Sequence, residues 1–271
     1  MPELPEVETI RQQLEPKLCG REVVDASSHW SAKFTPAVEA IGGEIDAVRR
    51  RGKYLLIDHR RPDESAAELI IHLGMTGRLA VVDEFDTGDS HLRAWWVLDN
   101  GQTLTFHDTR RFGRIYCVDA GDHAAMPTLH TLGPEPFDDA FNGLHLAGFV
   151  TRSDRSIKTI LLAQRAVAGV GNIYADEALW IAKINPATRR LSKERANRLV
   201  EAVRQALQSG LDHGGTTLRD YVDSDGVAGE NQHELFCYGR YGEPCPRCAT
   251  VLRRRVLDAR TTTWCPTCQA R

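Results

Sequence analysis

The sequence predicts an α+β protein: a β-sandwich entered through an opening helix, then a helical region, then a small cysteine-bearing ribbon. Three observations predict it. Between Val23 and about Val118, short apolar runs alternate with polar turns, as strands do. Beyond about residue 149 the apolar positions recur at helical spacing, and the C-terminal end carries two Cys-x-x-Cys pairs. The expected division is 1–132 for the sandwich, 133–148 for a linker, 149–232 for the helical domain and 233–271 for the ribbon.

The chain opens Met1-Pro2-Glu3-Leu4-Pro5-Glu6. Pro5 suits the first turn of a helix, Glu6 and Glu8 suit its positive end, Val7, Ile10, Leu14 and Leu18 follow its apolar stripe, and Gly20 stops it. Pro2 lies outside that helix. Removal of the initiator methionine, which a small second residue permits, leaves Pro2 a free secondary amine beside Glu3. An α-amino group titrates near 7.7 to 8.0, roughly, so a useful fraction is unprotonated at neutrality. A secondary amine that attacks a sugar C1′ forms a cationic iminium, which promotes elimination. A purely structural start to the helix is the competing reading of the same residues.

Strands are expected at Tyr54 to Ile57, Glu68 to Leu73, Arg78 to Val82, Trp95 to Leu98 and Thr103 to Phe106. The last two flank Asp99-Asn100-Gly101, a hairpin signal because Asn and Gly tolerate positive φ. Gly133-Pro134-Glu135-Pro136 and the polar residues to Gly143 read as the linker. Ile157, Ile160 and Leu161 begin a helix. Asn172, after Ala168-Gly169-Val170-Gly171, is placed to cap the next one, and Leu199, Val203 and Leu207 mark a third. Asp223 to Gly229 reads as a mobile loop.

Cys245 and Cys248 are separated by sixteen residues from Cys265 and Cys268. That spacing matches a structural zinc ribbon, in which four thiolates close a tetrahedron around one Zn2+ and leave no position open for catalysis. Arg253, Arg254, Arg255 and Arg260 lie between the pairs, opposed only by Asp258, either as a solvated strand face or as a phosphate-binding hairpin.

Composition sets the outer limits. With 271 residues, 42% hydrophobic and 26% charged, the chain can bury a substantial core. The net charge of -3 and pI near 6.4 exclude a global basic field, so a polyanion must be held by local patches. No apolar run approaches the roughly 20 residues of a membrane span, no signal peptide opens the chain, and a cytoplasmic, membrane-free protein is expected. Seven clustered cysteines argue for metal binding over a disulfide framework.

Several residues carry two readings. Lys53 in Arg50-Arg51-Gly52-Lys53 and His72 beside Ile71 are, taken singly, an ordinary surface lysine and a half-buried histidine. Met75 in Met75-Thr76-Gly77 and Phe112 in Arg110-Arg111-Phe112-Gly113 are either core residues or wedges for a base stack, with Arg110 facing an exposed base edge. Gly169-Val170-Gly171-Asn172 is either a tight turn with a cap or an anion site at a helix start.

Taken in order, Met1 to Thr9, Gly52-Lys53-Tyr54-Leu55, His72 to Gly77, Arg110 to Gly113, Gly171 to Ala175 and the terminal cysteines resemble the formamidopyrimidine-DNA glycosylase family along essentially the whole chain. The resemblance implies a helix-two-turn-helix in the helical domain and damaged double-stranded DNA, bound by a monomer, in a cleft between halves. It implies Pro2 as nucleophile, Glu3 as its acid-base partner, and Lys53 and Arg260 in the catalytic centre. It also implies His72 and Asn172 as DNA contacts, with Asn172 and Arg260 on the backbone at the extruded nucleotide. Met75, Arg110 and Phe112 would fill the gap, and the loop from Thr217 to Gln232 would cover the base. The implied reaction is excision of oxidised purines followed by β,δ-elimination at the abasic site. Two rivals share parts of this pattern: an endonuclease VIII-type enzyme for oxidised pyrimidines, which Leu4 disfavours because that type usually has glycine there, and a non-catalytic DNA-binding zinc protein. Ala163, where the family commonly has aspartate, and Cys237 depart from the pattern.

Overall fold

The opening helix α1 (Leu4–Leu18) buries Val7, Ile10, Leu14 and Leu18 completely, along the stripe the sequence predicts. Glu3 is its N-cap, Pro5 lies in the first turn, and Gly20, at φ +75, redirects the chain. The structure is a computed structural model and describes residues 1–270.

Eight strands follow: β1 (Val23–Ser28), β2 (Glu44–Arg51), β3 (Tyr54–Arg60), β4 (Ala66–His72), β5 (Gly77–Val82), β6 (Leu92–Leu98), β7 (Thr103–Asp108) and β8 (Arg114–Asp119), with a 3₁₀ turn at Thr35–Ala40. They form two four-stranded antiparallel sheets, ordered β1-β6-β7-β5 and β2-β3-β4-β8. Leu55, Ile57, Leu69 and Ile71 of one sheet and Ala94, Trp96, Leu104 and Phe106 of the other share a single core with the α1 stripe. That core makes α1 part of the sandwich, so the first residues of the chain are held by the largest apolar cluster of this half. The β6–β7 hairpin turns as expected but by different geometry: only Gly101 has positive φ, and the Leu98 N–H bonds the Gln102 carbonyl at 2.8 Å, closing a three-residue loop. A short helix, α2 (Pro127–His130), follows.

Residues 1–130 and 213–230 form one compact unit, and 131–212 with 231 onward form another. This differs from the expected division at two places. Residues 213–230, assigned from sequence to the helical domain, pack with the sandwich because α1 side chains capture their backbone: Glu6 accepts the Thr216 N–H at 2.7 Å and Gln13 accepts the Ser224 N–H at 2.9 Å. Asp223 folds the tip by accepting the Asp225 and Val227 N–H groups, and Lys17 pairs with Asp225. The loop read as mobile is therefore tied down along α1. The expected linker is also shorter than 133–148. Gly133 donates to the Gln164 carbonyl and the Pro134 carbonyl accepts from Ala168, while Asn142 caps a helix, α3 (Gly143–Thr151).

The second unit continues with α4 (Ile157–Leu162), α5 (Asn172–Ile181) and α6 (Lys193–Asp212), then β9 (Arg253–Leu257) and β10 (Arg260–Trp264). Two tight turns join α4 to α5, the helix-two-turn-helix. They need left-handed backbone at Gln164 (φ 62) and Gly169 (φ 81), and the Gln164 side chain holds them by accepting the Gly169 N–H and donating to the Val170 carbonyl. A Cβ on Gly210 would lie 2.4 Å from the Tyr174 hydroxyl, so glycine lets α6 approach α5. Among the described residues, no helix is long and apolar enough to cross a membrane.

Candidate active site

Pro2 and Glu3 are both buried at the start of α1, beneath an exposed Met1. Burial alone does not orient a helix start, since its first N–H groups have no intrahelical partner. Glu6 does so. One carboxylate oxygen accepts the Glu3 N–H at 2.7 Å and the other the Thr216 N–H at 2.7 Å. This fixes the Pro2–Glu3 backbone to the loop 213–230 through one buried side chain. A Cβ on Gly215 would come within 2.9 Å of Glu6, so the close approach requires glycine there, at φ +90. The Glu3-x-x-Glu6 spacing is a capping-box signal visible in sequence. Its second partner, 210 residues away, has no local signal.

Lys53 follows Gly52 (φ +56) in the turn between β2 and β3 and is only 7% exposed, so it is no ordinary surface lysine. The turn is tied to α1 through Arg50, which donates to Glu8 at 2.9 Å and to the Gly52 carbonyl at 3.1 Å. On the neighbouring strand, the His72 ring lies 4.8 Å from that of Tyr54. Burial, with Lys53 and Arg114 adding to it, pushes the His72 pKa down to about 4. The ring is therefore neutral near pH 7. Its Nδ1 accepts the Gly74 N–H at 3.1 Å, which puts the proton on Nε2 and makes that atom a donor.

Met75, Arg110 and Phe112 are brought together by backbone packing. A Cβ on Gly74 (φ +65) would sit 2.5 Å from the backbone of Phe112 and Gly113, so the two loops meet backbone to backbone at a position only glycine can fill. Asp108, fully buried, locks them: Oδ1 accepts from Thr76 Oγ1 at 2.5 Å, Oδ2 accepts the Gly113 N–H at 2.7 Å, and Thr76 Oγ1 in turn accepts the Arg110 N–H at 3.0 Å. Phe112 remains 49% exposed under the Arg110 guanidinium, 4.9 Å from its ring centroid. This removes the core reading of Phe112. Asp108 was missed from sequence because an aspartate beside two arginines reads as surface charge.

In the second unit, Gly171 and not Asn172 caps α5; Asn172 is its first residue, and its Nδ2 donates to the Thr261 carbonyl at 3.2 Å and to the Tyr238 hydroxyl at 3.4 Å. Asn172 thus touches the strand that begins with Arg260. Two acids of α5 fasten the ribbon further, Asp176 on this strand and Glu177 on the segment before it. Asp176 accepts the Thr263 N–H at 3.0 Å and pairs at 2.6 Å with buried Lys158, whose Nζ also donates to the Thr261 carbonyl and Thr262 Oγ1. Burial pushes the Asp176 pKa up to about 7, with Lys158 opposing. Ala163 merely ends α4, and the carboxylate that neutralises Lys158 comes from Asp176. Glu177 accepts the N–H groups of Phe236, Cys237 and Tyr238 at 2.7 to 2.9 Å. Cys237 is buried in this junction, its thiol directed at the Asp176 and Thr263 carbonyls.

Cys245, Cys248, Cys265 and Cys268 place their four Sγ atoms within 4.8 Å of one another. A tetrahedral zinc with bonds near 2.3 Å separates its sulfurs by about 3.8 Å, so these residues fit that ion. The hairpin arginines divide: Arg254 lies over Tyr241 and Arg255 over Trp264.

A sandwich with a buried N-terminal proline–glutamate pair and a helical module bearing a four-thiolate ribbon define a DNA-glycosylase architecture. Residues 1–115 match the formamidopyrimidine-DNA glycosylase N-terminal domain, 132–222 its H2TH domain, and 242–271 the zinc finger found in FPG and IleRS. The formamidopyrimidine-DNA glycosylase of Herpetosiphon aurantiacus is 45% identical over the full length of both chains, and that of Deinococcus radiodurans 40% over 99% of this chain and 97% of its own. The crystal structure of MutM (Fpg) from Thermus thermophilus superposes with a TM-score of 0.90 at 44% identity, covering 99% of this chain and 98% of its own. A Lactococcus lactis FPG mutant, G226P, complexed with DNA containing Fapy-dG, gives 0.88 at 31% identity over the whole of both chains. The chain belongs to the formamidopyrimidine-DNA glycosylase family. One structural zinc belongs to its ribbon.

Proposed function

We infer that the protein is a bifunctional DNA glycosylase and abasic-site lyase that removes oxidised purines in base excision repair. The observation that carries this is the buried Pro2–Glu3 pair, oriented by Glu6, in a chain that matches the family from end to end. In the structure the Pro2 nitrogen is still an amide to Met1, so the active form is the one that begins at Pro2. The target nucleotide is extruded because C1′ cannot be reached within the stack. The amine of Pro2 attacks C1′, the base leaves with its bonding pair, and Glu3 protonates the ring oxygen as the sugar opens to the iminium. Loss of a C2′ proton then expels the 3′ phosphate, and a second elimination expels the 5′ phosphate.

Lys53 and neutral His72 bind phosphate on this reading, the former as a cation and the latter through Nε2–H. Met75 and Phe112 fill the vacated stack, with Arg110 donating to the orphaned base. Asn172 and Arg260 hold the backbone at the extruded nucleotide. The zinc, when bound, holds the ribbon's shape and supplies no reacting group. The protein acts as a monomer on damaged duplex DNA in the bacterial cytosol, with domains bounded near 132, 148 and 232 apart from the corrected segments.

Borohydride trapping tests this. A chain beginning at Pro2 should trap covalently on duplexes with 8-oxoguanine opposite cytosine, and Pro2→Gly should lose most of that signal. Full trapping by a chain shown by mass spectrometry to retain Met1 would exclude the nucleophile. Single-turnover cleavage should be faster for 8-oxoguanine and formamidopyrimidines than for thymine glycol.

A further inference from the structure

We propose that an arginine-lined groove in the second unit grips the phosphate backbone of the duplex flanking the lesion; the proposal rests on the glycosylase reading and extends it beyond the damaged nucleotide. The groove, about 850 Å³, receives Arg155 from the start of α4, Arg189 and Arg190 from the connection to α6, Arg195 from α6 and Arg255 from β9. Asp154 and Asp258 are the only acids among its lining residues, which leaves a formal +3 from five arginines and two aspartates, in a chain whose net charge is -3. Such local concentration of one sign opposes the charge of the molecule as a whole.

Arg155, Arg189, Arg190 and Arg195 make no ion pair with a carboxylate among the described residues. Asp258, the acid nearest the hairpin tip, is already engaged by Thr159 Oγ1. Uncompensated guanidinium groups facing one groove repel each other, and a polyanion relieves that repulsion while releasing its own condensed counterions. Guanidinium groups are also suited to bidentate phosphate binding.

Continuity selects DNA over an acidic peptide as the occupant. Leu257, which lines the groove, pairs directly with Arg260 across the hairpin, and opposite residues in an antiparallel pair share a face. Arg255 pairs likewise with Thr262, whose hydroxyl is held by Lys158 at 2.9 Å. Arg260 and the groove thus lie along one side of a hairpin whose Asp258-Ala259 turn, with both residues at positive φ, is tightly closed. A strand held at Arg260 has its continuing phosphates in reach of this charge.

The test compares two lesion duplexes, one just long enough to support excision and one extended by a helical turn on each side. Anisotropy titrations against KCl should give a steeper salt dependence for the long duplex. Arg189→Ala/Arg190→Ala should lower that slope by about 2 and long-duplex affinity about tenfold at low salt, leaving short-duplex binding and excision unchanged. Arg155→Ala, just before α4, should reproduce about half the change in slope and decides the matter if the double variant melts early or loses zinc. Equal slopes for the two lengths in the wild type, or equal losses on both, would overturn the proposal. A groove that serves an acidic peptide also predicts no length dependence. Absence of excision from the short duplex by the wild type would instead sink the glycosylase reading.

Discussion

Pro2 and Glu3 lead directly into a helix whose apolar stripe sinks into a cluster of twenty-three buried residues, whereas Arg260 stands on a two-stranded hairpin of a ribbon whose cluster has five, three of them cysteines. The first unit can therefore hold its site by hydrocarbon burial, with Glu6 and Asp108 only aligning backbone segments. The ribbon cannot, since two strands alone bury too little to fold. Its shape comes from thiolates and from the Asp176 and Glu177 carboxylates of α5. Both use buried acids to catch backbone N–H groups, but only in the ribbon do those acids make up for a small core.

The largest effect should follow removal of zinc. Ligation contributes roughly 10–16 kcal/mol in zinc-finger peptides, so Cys248→Ser should unfold the ribbon and abolish tight DNA binding while calorimetry still records the sandwich transition. Undiminished binding by a zinc-free chain would break the comparison.

Next, Glu177→Ala leaves three N–H groups without their buried acceptor and should cost about 3–5 kcal/mol in the second unit. Hydrogen exchange at Phe236, Cys237 and Tyr238 should accelerate, with no change in α1. Leu14→Ala should cost a similar 2–5 kcal/mol, roughly, but in the sandwich. If both variants loosen both regions alike, the two supports are not separate.

A smaller effect is expected from pH. The His72 pKa lies near 4 in the fold against 6.5 for the free residue, so the unfolded chain binds more protons between those values. Stability is full above pH 6.5 and falls as pH drops toward 4, by up to about 3 kcal/mol. His72→Gln should flatten that part of the pH–stability curve for the first unit; an unchanged curve would place the loss elsewhere.

The smallest effect on stability belongs to Phe112→Ala, within about 0.5 kcal/mol because the ring is half exposed. Its effect should appear in kinetics: slower excision of a paired 8-oxoguanine, with cleavage at a preformed abasic site nearly unaffected. Equal slowing of both would return Phe112 to a packing role.

Legibility followed the range of the interaction. The α1 stripe, the strand runs and the Cys-x-x-Cys spacing are periodicities of a few residues, and the structure keeps all three. The opening motif and the Arg110-Arg111-Phe112-Gly113 run were legible as residues, and the resemblance assigned their roles. Harder to read were Asn172, displaced from the cap by Gly171, and Lys53, whose burial depends on a turn fastened through Arg50 and Glu8.

By itself, then, the sequence determined the element types and the zinc-binding thiolates, because local spacing and side-chain chemistry do not depend on the rest of the chain. Only the tertiary structure decided that Glu6 joins the N-terminus to a loop 210 residues away, that Asp108 aligns the Met75 and Phe112 loops, and that Asp176 pairs with buried Lys158. In each case a buried carboxylate must find its donors or its cation to offset desolvation. Which groups lie within about 3 Å of it is a property of the packed chain.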